Sequence, residues 1–374
     1  MKLHLLGIPH TYTHPSFSCC AFTGKVLRFS PMMQYEGHHV IHYGNAGSES
    51  GAKEQVEILD AEEYKKLGGC EPGDEQYGNS AQIGSKLYQE FNGHLGQELE
   101  ARVEPGDIIC LPFGTAHMEA LTGPRCKMAF WVETGIGYRQ AFTRHRIYES
   151  NAWMNVHLGR ETPNGVVMGY DYWFTIPNYY EPEDWPLGIG KMPSNEKPTI
   201  AFMGRLNEDK GLRIIEEIAK RMPHVDFTIC GQGDPSPWVR KNVYPVSPFH
   251  GPPSEGRANY LGNAHAVICP TRYVEPFGGV AVEALLCGTP VIASAFGAFP
   301  EYIQDGFNGW LPRTLDDWIT AVEKAITKGP DWDRDVIRNV AAHRFSMWNL
   351  SGQYTMAFAQ ISDLQRGGWY CDQL

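Results

Sequence analysis

Short apolar runs and longer stretches of helical period take turns along the chain. The run Leu3-His4-Leu5-Leu6-Gly7 predicts a first buried strand. A loop of about Ile8 to Cys19 follows and is longer than the usual turn. Residues 21–35 predict a helix, and 37–43 predict a second strand behind the glycine stop at Gly37. Residues 44–80 are polar and rich in Gly, Glu and Ser, which predicts surface. After them come a helix over 81–99, a strand over 107–112, a helix from about Thr115 and a strand over 127–132. Such alternation predicts parallel sheets wrapped by helices.

The pattern breaks between Asn178 and Lys197, where Pro182, Pro186 and Pro193 interrupt a stretch without period. This predicts a domain boundary, with a first domain over 1–178 and a second over 179–352. In the second, residues 200–206 predict a buried strand, Asn207 to Gly211 a loop, and 212–222 an amphipathic helix. Residues 225–230 predict a strand running into Gly231-Gln232-Gly233, and 266–270 a strand after Arg257 to His265. Over 353–364, Met356, Phe358, Ile361 and Leu364 recur with helical period.

The densest chemistry lies in Glu275-Pro276-Phe277-Gly278-Gly279-Val280-Ala281-Val282-Glu283, where two carboxylates stand eight positions apart. Gly278 and Gly279 let a ligand approach the backbone. Residues 279–286 predict a helix ended at Gly288 and followed by the strand 291–293. A glycine-rich turn into a helix offers free N–H groups and a positive dipole end, which suits phosphate. Carboxylates beside it suit hydroxyl groups, from which they accept hydrogen bonds. Phosphate together with hydroxyls points to a nucleotide, a sugar, or both. Upstream, Gly204-Arg205 and Lys210-Gly211 add a guanidinium fork and a mobile point charge for a diphosphate.

The extended 275–292 string, with its Pro-Phe-Gly and Ala-Leu-x-x-Gly-x-Pro-Val-Ile flanks, resembles the E-x7-E signature of the family 4 glycosyltransferases. Gly204, Arg205, Lys210 and Gly211 resemble the same family's G-R-x-x-x-x-K-G pattern. The resemblance is strongest over residues 198–312. It implies the GT-B fold, two Rossmann-like α/β domains facing a cleft, with the acceptor mainly on the first and the donor mainly on the second. It implies that residues 353–374 return to the first domain. It implies retaining transfer from a UDP- or GDP-linked sugar to an acceptor hydroxyl, with no obligatory metal or other cofactor. Arg205, Lys210 and Glu275 would then carry the catalysis. Gly204, Phe277, Gly278, Gly279 and Val280 would line the donor, Glu275 would meet sugar hydroxyls, and Glu283 would meet the ribose. In the first loop, where the family has a glycine pair, this chain has Ser18 and Cys19, which are candidate phosphate or acceptor contacts. Where many relatives carry a histidine after the 128–132 strand, this chain has Glu133; His117 and His145 are the alternatives.

With 374 residues, 42% hydrophobic and 20% charged, the composition is that of a globular protein of two domains. No apolar run is long enough to cross a membrane. Nine cysteines without C-x-x-C spacing predict reduced thiols and a cytoplasmic home. His10 and His14 are four apart but precede Pro15 and are not expected to hold a metal. A net charge of −11 argues against a general nucleic-acid binder, although 125–146 holds Arg125, Lys127, Arg139, Arg144 and Arg146. A solvated face is the favoured reading of that segment, and a basic cleft wall the sharper one. Three alternatives accompany the main reading: a glycosyltransferase on a polymer such as modified DNA, a retaining sugar phosphorylase, and a non-catalytic sugar-nucleotide binding protein. The donor sugar and base, the acceptor and the oligomeric state are left open.

Overall fold

The computed structural model describes the chain except for residues 18–19, 73, 75–80, 163–168, 171, 191–196, 250–252, 254–255, 329–331 and 367–374. Two compact units make it up. Unit 1 holds Met1–Glu149, Met154–Tyr179 and the chain from Met347; unit 2 holds Ser150–Trp153 and Tyr180–Ser346.

Unit 1 is a seven-stranded sheet of β1 (Lys2–Leu6), β2 (His39–Gly44), β3 (Glu54–Glu57), β4 (Ile108–Leu111), β5 (Phe130–Ile136), β6 (His145–Tyr148) and β7 (Trp173–Thr175). The order is β3-β2-β1-β4-β5-β6-β7 and every pairing is parallel. Its helices are α1 (Ala21–Tyr35), α2 (Ala61–Lys66), α3 (Lys86–Arg102), α4 (Asn151–Glu161) and the last helix, Met347–Arg366. Ser150–Trp153, at the start of α4, belong to unit 2. Strand alternation sorts the core. Leu3 and Leu5 face Val26, Phe29 and Met33 of α1 with Tyr354, Phe358 and Ile361 of the last helix. Leu6, Ile41 and Ile109 face Phe91, Leu95 and Leu99 of α3.

Unit 2 is a six-stranded sheet of β8 (Thr199–Met203), β9 (Asp226–Cys230), β10 (Val243–Val246), β11 (Ala266–Cys269), β12 (Val291–Ala293) and β13 (Gly309–Trp310). Its order is β10-β9-β8-β11-β12-β13, again parallel throughout. Its helices are α5 (Leu212–Arg221), α6 (Arg257–Gly262), α7 (Gly279–Leu286), α8 (Leu315–Lys328) and α9 (Arg334–Phe345), which makes Met347–Arg366 α10. On α5 the buried positions are Leu212, Ile215, Ile218 and Ala219, the stripe a helix period puts on one face. In both sheets the chain reverses its direction of growth once, between β1 and β4 and between β8 and β11. Ligands of open parallel sheets bind at the strands' carboxyl ends at such points.

The two-unit parallel α/β fold is the expected one; several elements are not. Residues 44–80 are not all surface, because β3 and α2 lie there and Val56, Ile58, Leu59 and Tyr64 are buried. The helix expected from Thr115 is a 3-10 helix over Gly114–Leu121. The helix expected from Ala81 starts at Lys86, and the strand expected from Lys127 starts at Phe130 because a 3-10 turn occupies Cys126–Met128. The last helix starts at Met347, six residues before the expected 353.

Candidate functional site

Two loops meet at the reversal point of unit 2. The loop after β8 carries Gly204, Arg205, Lys210 and Gly211, and the loop after β11 carries Thr271, Tyr273, Glu275 and Phe277. Gly211 has φ +86°, and a Cβ there would stand 2.0 Å from the Pro270 carbonyl oxygen. Only glycine lets the loops close this tightly. Asp209 O accepts from Arg272 N at 2.9 Å and ties them again.

This closure sets the first charged contact. Lys210 N donates to Asn207 Oδ1 at 3.0 Å, which bends the loop back on itself. Lys210 Nζ then donates to Glu275 Oε2 at 2.7 Å, and Thr271 Oγ1 donates to the same oxygen at 3.1 Å. The ammonium also lies 5.0 Å from the centre of the Tyr273 ring. Burial works to lower the Lys210 pKa, but Glu275 and Tyr273 beside it outweigh that and hold it above its ordinary value. Arg205, at the mouth of the same loop, is exposed.

The second contact is built on α7. Gly278 precedes the helix in the left-handed region, φ +82°, and as the N-cap residue it supplies no side-chain cap. The first-turn N–H groups and positive dipole end suit an anion. The Phe277 ring is buried, and its carbonyl accepts from Tyr302 Oη at 2.6 Å. Pro276 O accepts from Ser150 Oγ at 2.6 Å, which braces the loop from the α4 start. Five residues into α7, Glu283 pairs with Arg257 Nη2. Glu283 Oε1 lies 3.9 Å from where a Cβ on Gly279 would be, so the carboxylate is turned back towards the helix start.

The structure thus brings together Gly204, Arg205, Lys210, Glu275, Phe277, Gly278, Gly279, Val280 and Glu283 on the strand-end loops and first helix turns of one unit. Arg257, Thr271 and Tyr273 belong with them and were not singled out from the sequence. Arg257 stands 26 positions before Glu283 at the start of the short helix α6, so no local pattern links the two.

Glu133 lies in the other unit. It is 0% exposed and accepts from Tyr138 Oη, Phe142 N, Thr143 N and Thr143 Oγ1 at 2.8–3.0 Å. Burial raises its pKa, against the pull of the Thr143 hydrogen bonds. Its carboxylate pins the loop after β5. Ser18 and Cys19 lie outside the described residues. His117 and His145 are both buried, with pKa values lowered by burial to about 3 and about 4. Of the basic segment, Arg146 is buried, bonded to Glu161 Oε1 at 2.5 Å and set over the Trp173 ring, and Arg144 lies over Tyr172. These two arginines are packing groups, while Arg125, Lys127 and Arg139 are exposed. Among the described residues, Glu63, Glu90 and His94 could gather round a cation, with ligand atoms within 4.8 Å of one another. They sit on α2 and α3, not on the strand-end loops, and are half-exposed.

An anion cradle bordered by hydroxyl-accepting carboxylates is what the geometry offers, and the sequence around it has relatives. Residues 197–328 match the family described as Glycosyl transferases group 1. This segment is similar to the group 1 glycosyl transferases. The chain is 28% identical over 186 residues to the D-inositol 3-phosphate glycosyltransferase of Mycobacteroides abscessus, a match covering 46% of this chain and 42% of that protein. It is 28% identical over 184 residues to an uncharacterized glycosyltransferase of Methanocaldococcus jannaschii, covering 41% and 46%. The chain thus spans less than half the length of these curated relatives. In fold, it resembles sucrose-phosphate synthase from Thermosynechococcus elongatus with a TM-score of 0.69 at 17% identity, over 96% of this chain and 99% of that one. It resembles Anabaena HepE in complex with UDP and glucose with a TM-score of 0.66 at 15% identity, over 96% and 99%. The GT-B fold therefore extends over nearly the whole chain. Among the described residues no helix is long and apolar enough to cross a membrane.

Proposed function

We propose that the protein is a retaining glycosyltransferase that moves a sugar from a UDP- or GDP-linked donor to an acceptor hydroxyl without an obligatory metal. One observation carries this reading: Lys210 and Glu275 meet at 2.7 Å across the reversal point of the second sheet, beside the uncapped start of α7. The donor diphosphate would replace Glu275 as the partner of Lys210 and take the α7 N–H groups, with Arg205 closing over it from the exposed side. Freed of its ammonium, the Glu275 carboxylate would accept from sugar hydroxyls. As the glycosidic bond breaks, charge builds on the leaving phosphate, and donors already aimed at that point stabilise it without reorganising. No step requires a protein nucleophile; the acceptor hydroxyl would attack from the face the leaving phosphate departs from and pass its proton to that phosphate as the glycosidic bond breaks. The buried cysteines of both units fit a reducing compartment, and we place the protein in the cytoplasm. The matched relatives named as glycosyltransferases, and the neighbour held with UDP and glucose, support the donor class.

The test is calorimetric titration of the full chain with UDP-glucose, GDP-mannose, UDP and GDP, each with and without EDTA. NMR of the sugar released by slow donor hydrolysis would accompany it. Binding of one base series, unchanged by EDTA, and release of the donor's own anomer are expected. Absence of binding to every nucleotide would overturn the reading, and release of the opposite anomer would overturn retention.

A further inference from the structure

Resting on that reading, we infer that Arg257 is a positioning residue that holds the Glu283 carboxylate towards the start of α7 and thereby sets the requirement for a ribose with free hydroxyls. Three observations converge on the guanidinium. Its Nη2 bonds Glu283 Oε2. Its carbon lies 5.8 Å from the centre of the Trp185 ring, and that indole is itself buried, so the group has a fixed wall behind it. Its Nε is buried and, among the described residues, has no hydrogen-bond partner. An arginine placed only to neutralise a carboxylate would be expected to use two parallel N–H groups on two oxygens. Here one oxygen of Glu283 is taken, and Oε1 is left on the α7 side, 3.9 Å from the Gly279 Cβ position.

That division has a chemical consequence. A helix glutamate alone has several rotamers, and most of them would leave a ribose hydroxyl to bond water. Clamped by Arg257, the carboxylate keeps one oxygen available at one place, beside the turn that would take the phosphates. A nucleoside diphosphate carries its vicinal hydroxyls close to its phosphates, so both ends can be read at once. Loss of Arg257 should therefore not weaken every anion alike. It should remove the advantage of a nucleotide that has ribose hydroxyls over one that lacks them.

The experiment compares wild type, Arg257→Met and Arg257→Lys, titrated with UDP and GDP and with their 2′,3′-dideoxy counterparts. A charge-assisted hydrogen bond corresponds to a preference of about tenfold or more. Wild type should prefer the hydroxylated nucleotide of the accepted base by about that factor. In Arg257→Met the preference should fall to about twofold or less, with the dideoxy affinity little changed. Arg257→Lys should restore part of it, since an ammonium can hold the carboxylate but without the flat guanidinium on Trp185. Melting curves of Arg257→Lys guard against loss of fold, and the ratio of the two affinities is read within each variant. A variant that loses both nucleotides equally and keeps the wild-type ratio overturns the inference and leaves the glycosyltransferase reading standing. Failure of wild type to bind any nucleotide overturns both.

Discussion

At the reversal point of unit 2, Lys210 and Glu275 pair with their side chains 20% and 11% exposed, beside an uncapped helix start. At the same strand ends of unit 1, Lys25 pairs with Glu149 with both side chains 6% exposed, and Lys25 Nζ also donates to Gly135 O at 2.9 Å. Around that pair the surface is aromatic: Phe22, Phe113 and Tyr138 pack on one another, with the Phe22 and Phe113 ring centres 4.1 Å apart. The sheets are wound alike, yet the same kind of ion pair does different things on them. In unit 2 Lys210 is only half-buried over a buried Glu275, and in the proposed reading the pair is exchanged for a ligand. In unit 1 the charges are closed off, and the pair is part of the core. Burial, more than charge, separates the two.

The largest expected effect tests the closed pair. Lys25→Met leaves the Glu149 carboxylate buried beside Gly137 without its ammonium. Breaking a buried pair from one side costs about 3–5 kcal/mol, so unit 1 should melt well below its wild-type temperature in calorimetry. An unchanged melting profile would mean that the pair contributes nothing and that burial does not set the two regions apart.

Lys210→Ala should show the opposite balance. Its effect on melting should be smaller, because Lys210 is half-buried rather than enclosed and the buried Glu275 keeps the Thr271 hydrogen bond. Turnover should fall by a factor equivalent to about 2.7–4 kcal/mol in the barrier, as for a deleted donor to a developing anion. Rates of sugar transfer or donor hydrolysis near those of wild type would remove Lys210 from the catalytic assignment.

Acid should find unit 1 first. His10, His42, His117 and His145 are all in unit 1, with pKa values lowered by burial to about 4, 3, 3 and 4. Each is neutral when folded and takes a proton more readily when unfolded, with an ordinary pKa near 6.5. Their contribution is complete above about pH 6.5 and is lost as pH falls towards 4. By pH 5.5 each should cost roughly 1.4 kcal/mol. Melting followed from pH 7.5 to 5 should show the unit 1 transition moving down before that of unit 2. A pH-independent profile would show that these rings gain water or partners on acidification.

Why unit 2 was readable and much of unit 1 was not follows from the same contrast. In unit 2 the close approach of the strand-end loops needs glycines at fixed places, and Gly211 and Gly278 mark the loop ends in the sequence itself, so β8, α5, β11 and α7 stand out between them. In unit 1, β6 reads His-Arg-Ile-Tyr and looks like a polar loop. It is a buried strand because Arg146 finds Glu161 and the Trp173 ring, 15 and 27 positions away in the chain. Val56 is the lone apolar residue of β3, too little to signal a strand, and it is buried by neighbours that only the fold supplies. Glu133 has the look of a cleft acid, and its burial under Tyr138 and Thr143 depends on a loop whose course no spacing announces. Arg257 was invisible for that reason also: its partner lies on a different helix.

The smallest expected effect separates the two carboxylates of unit 2. Glu283→Gln should weaken binding of free UDP or GDP, because a neutral amide holds ribose hydroxyls less strongly than a carboxylate and loses its Arg257 partner. Glu275→Gln should leave free nucleotide almost untouched, and its sign is informative. Glu275 occupies Lys210, so in the proposed reading a diphosphate would first displace a carboxylate to reach the ammonium. Removing that charge removes a competitor, and UDP or GDP should bind equally well or up to about twofold tighter, a change of only ~0.4 kcal/mol. The intact sugar nucleotide should bind more weakly to the same variant, since its hydroxyls lose their acceptor. Calorimetry with nucleotide and sugar nucleotide on both variants gives the four affinities needed. A Glu275→Gln protein that loses free nucleotide as much as Glu283→Gln does would show that Glu275 holds Lys210 in place rather than competing for it.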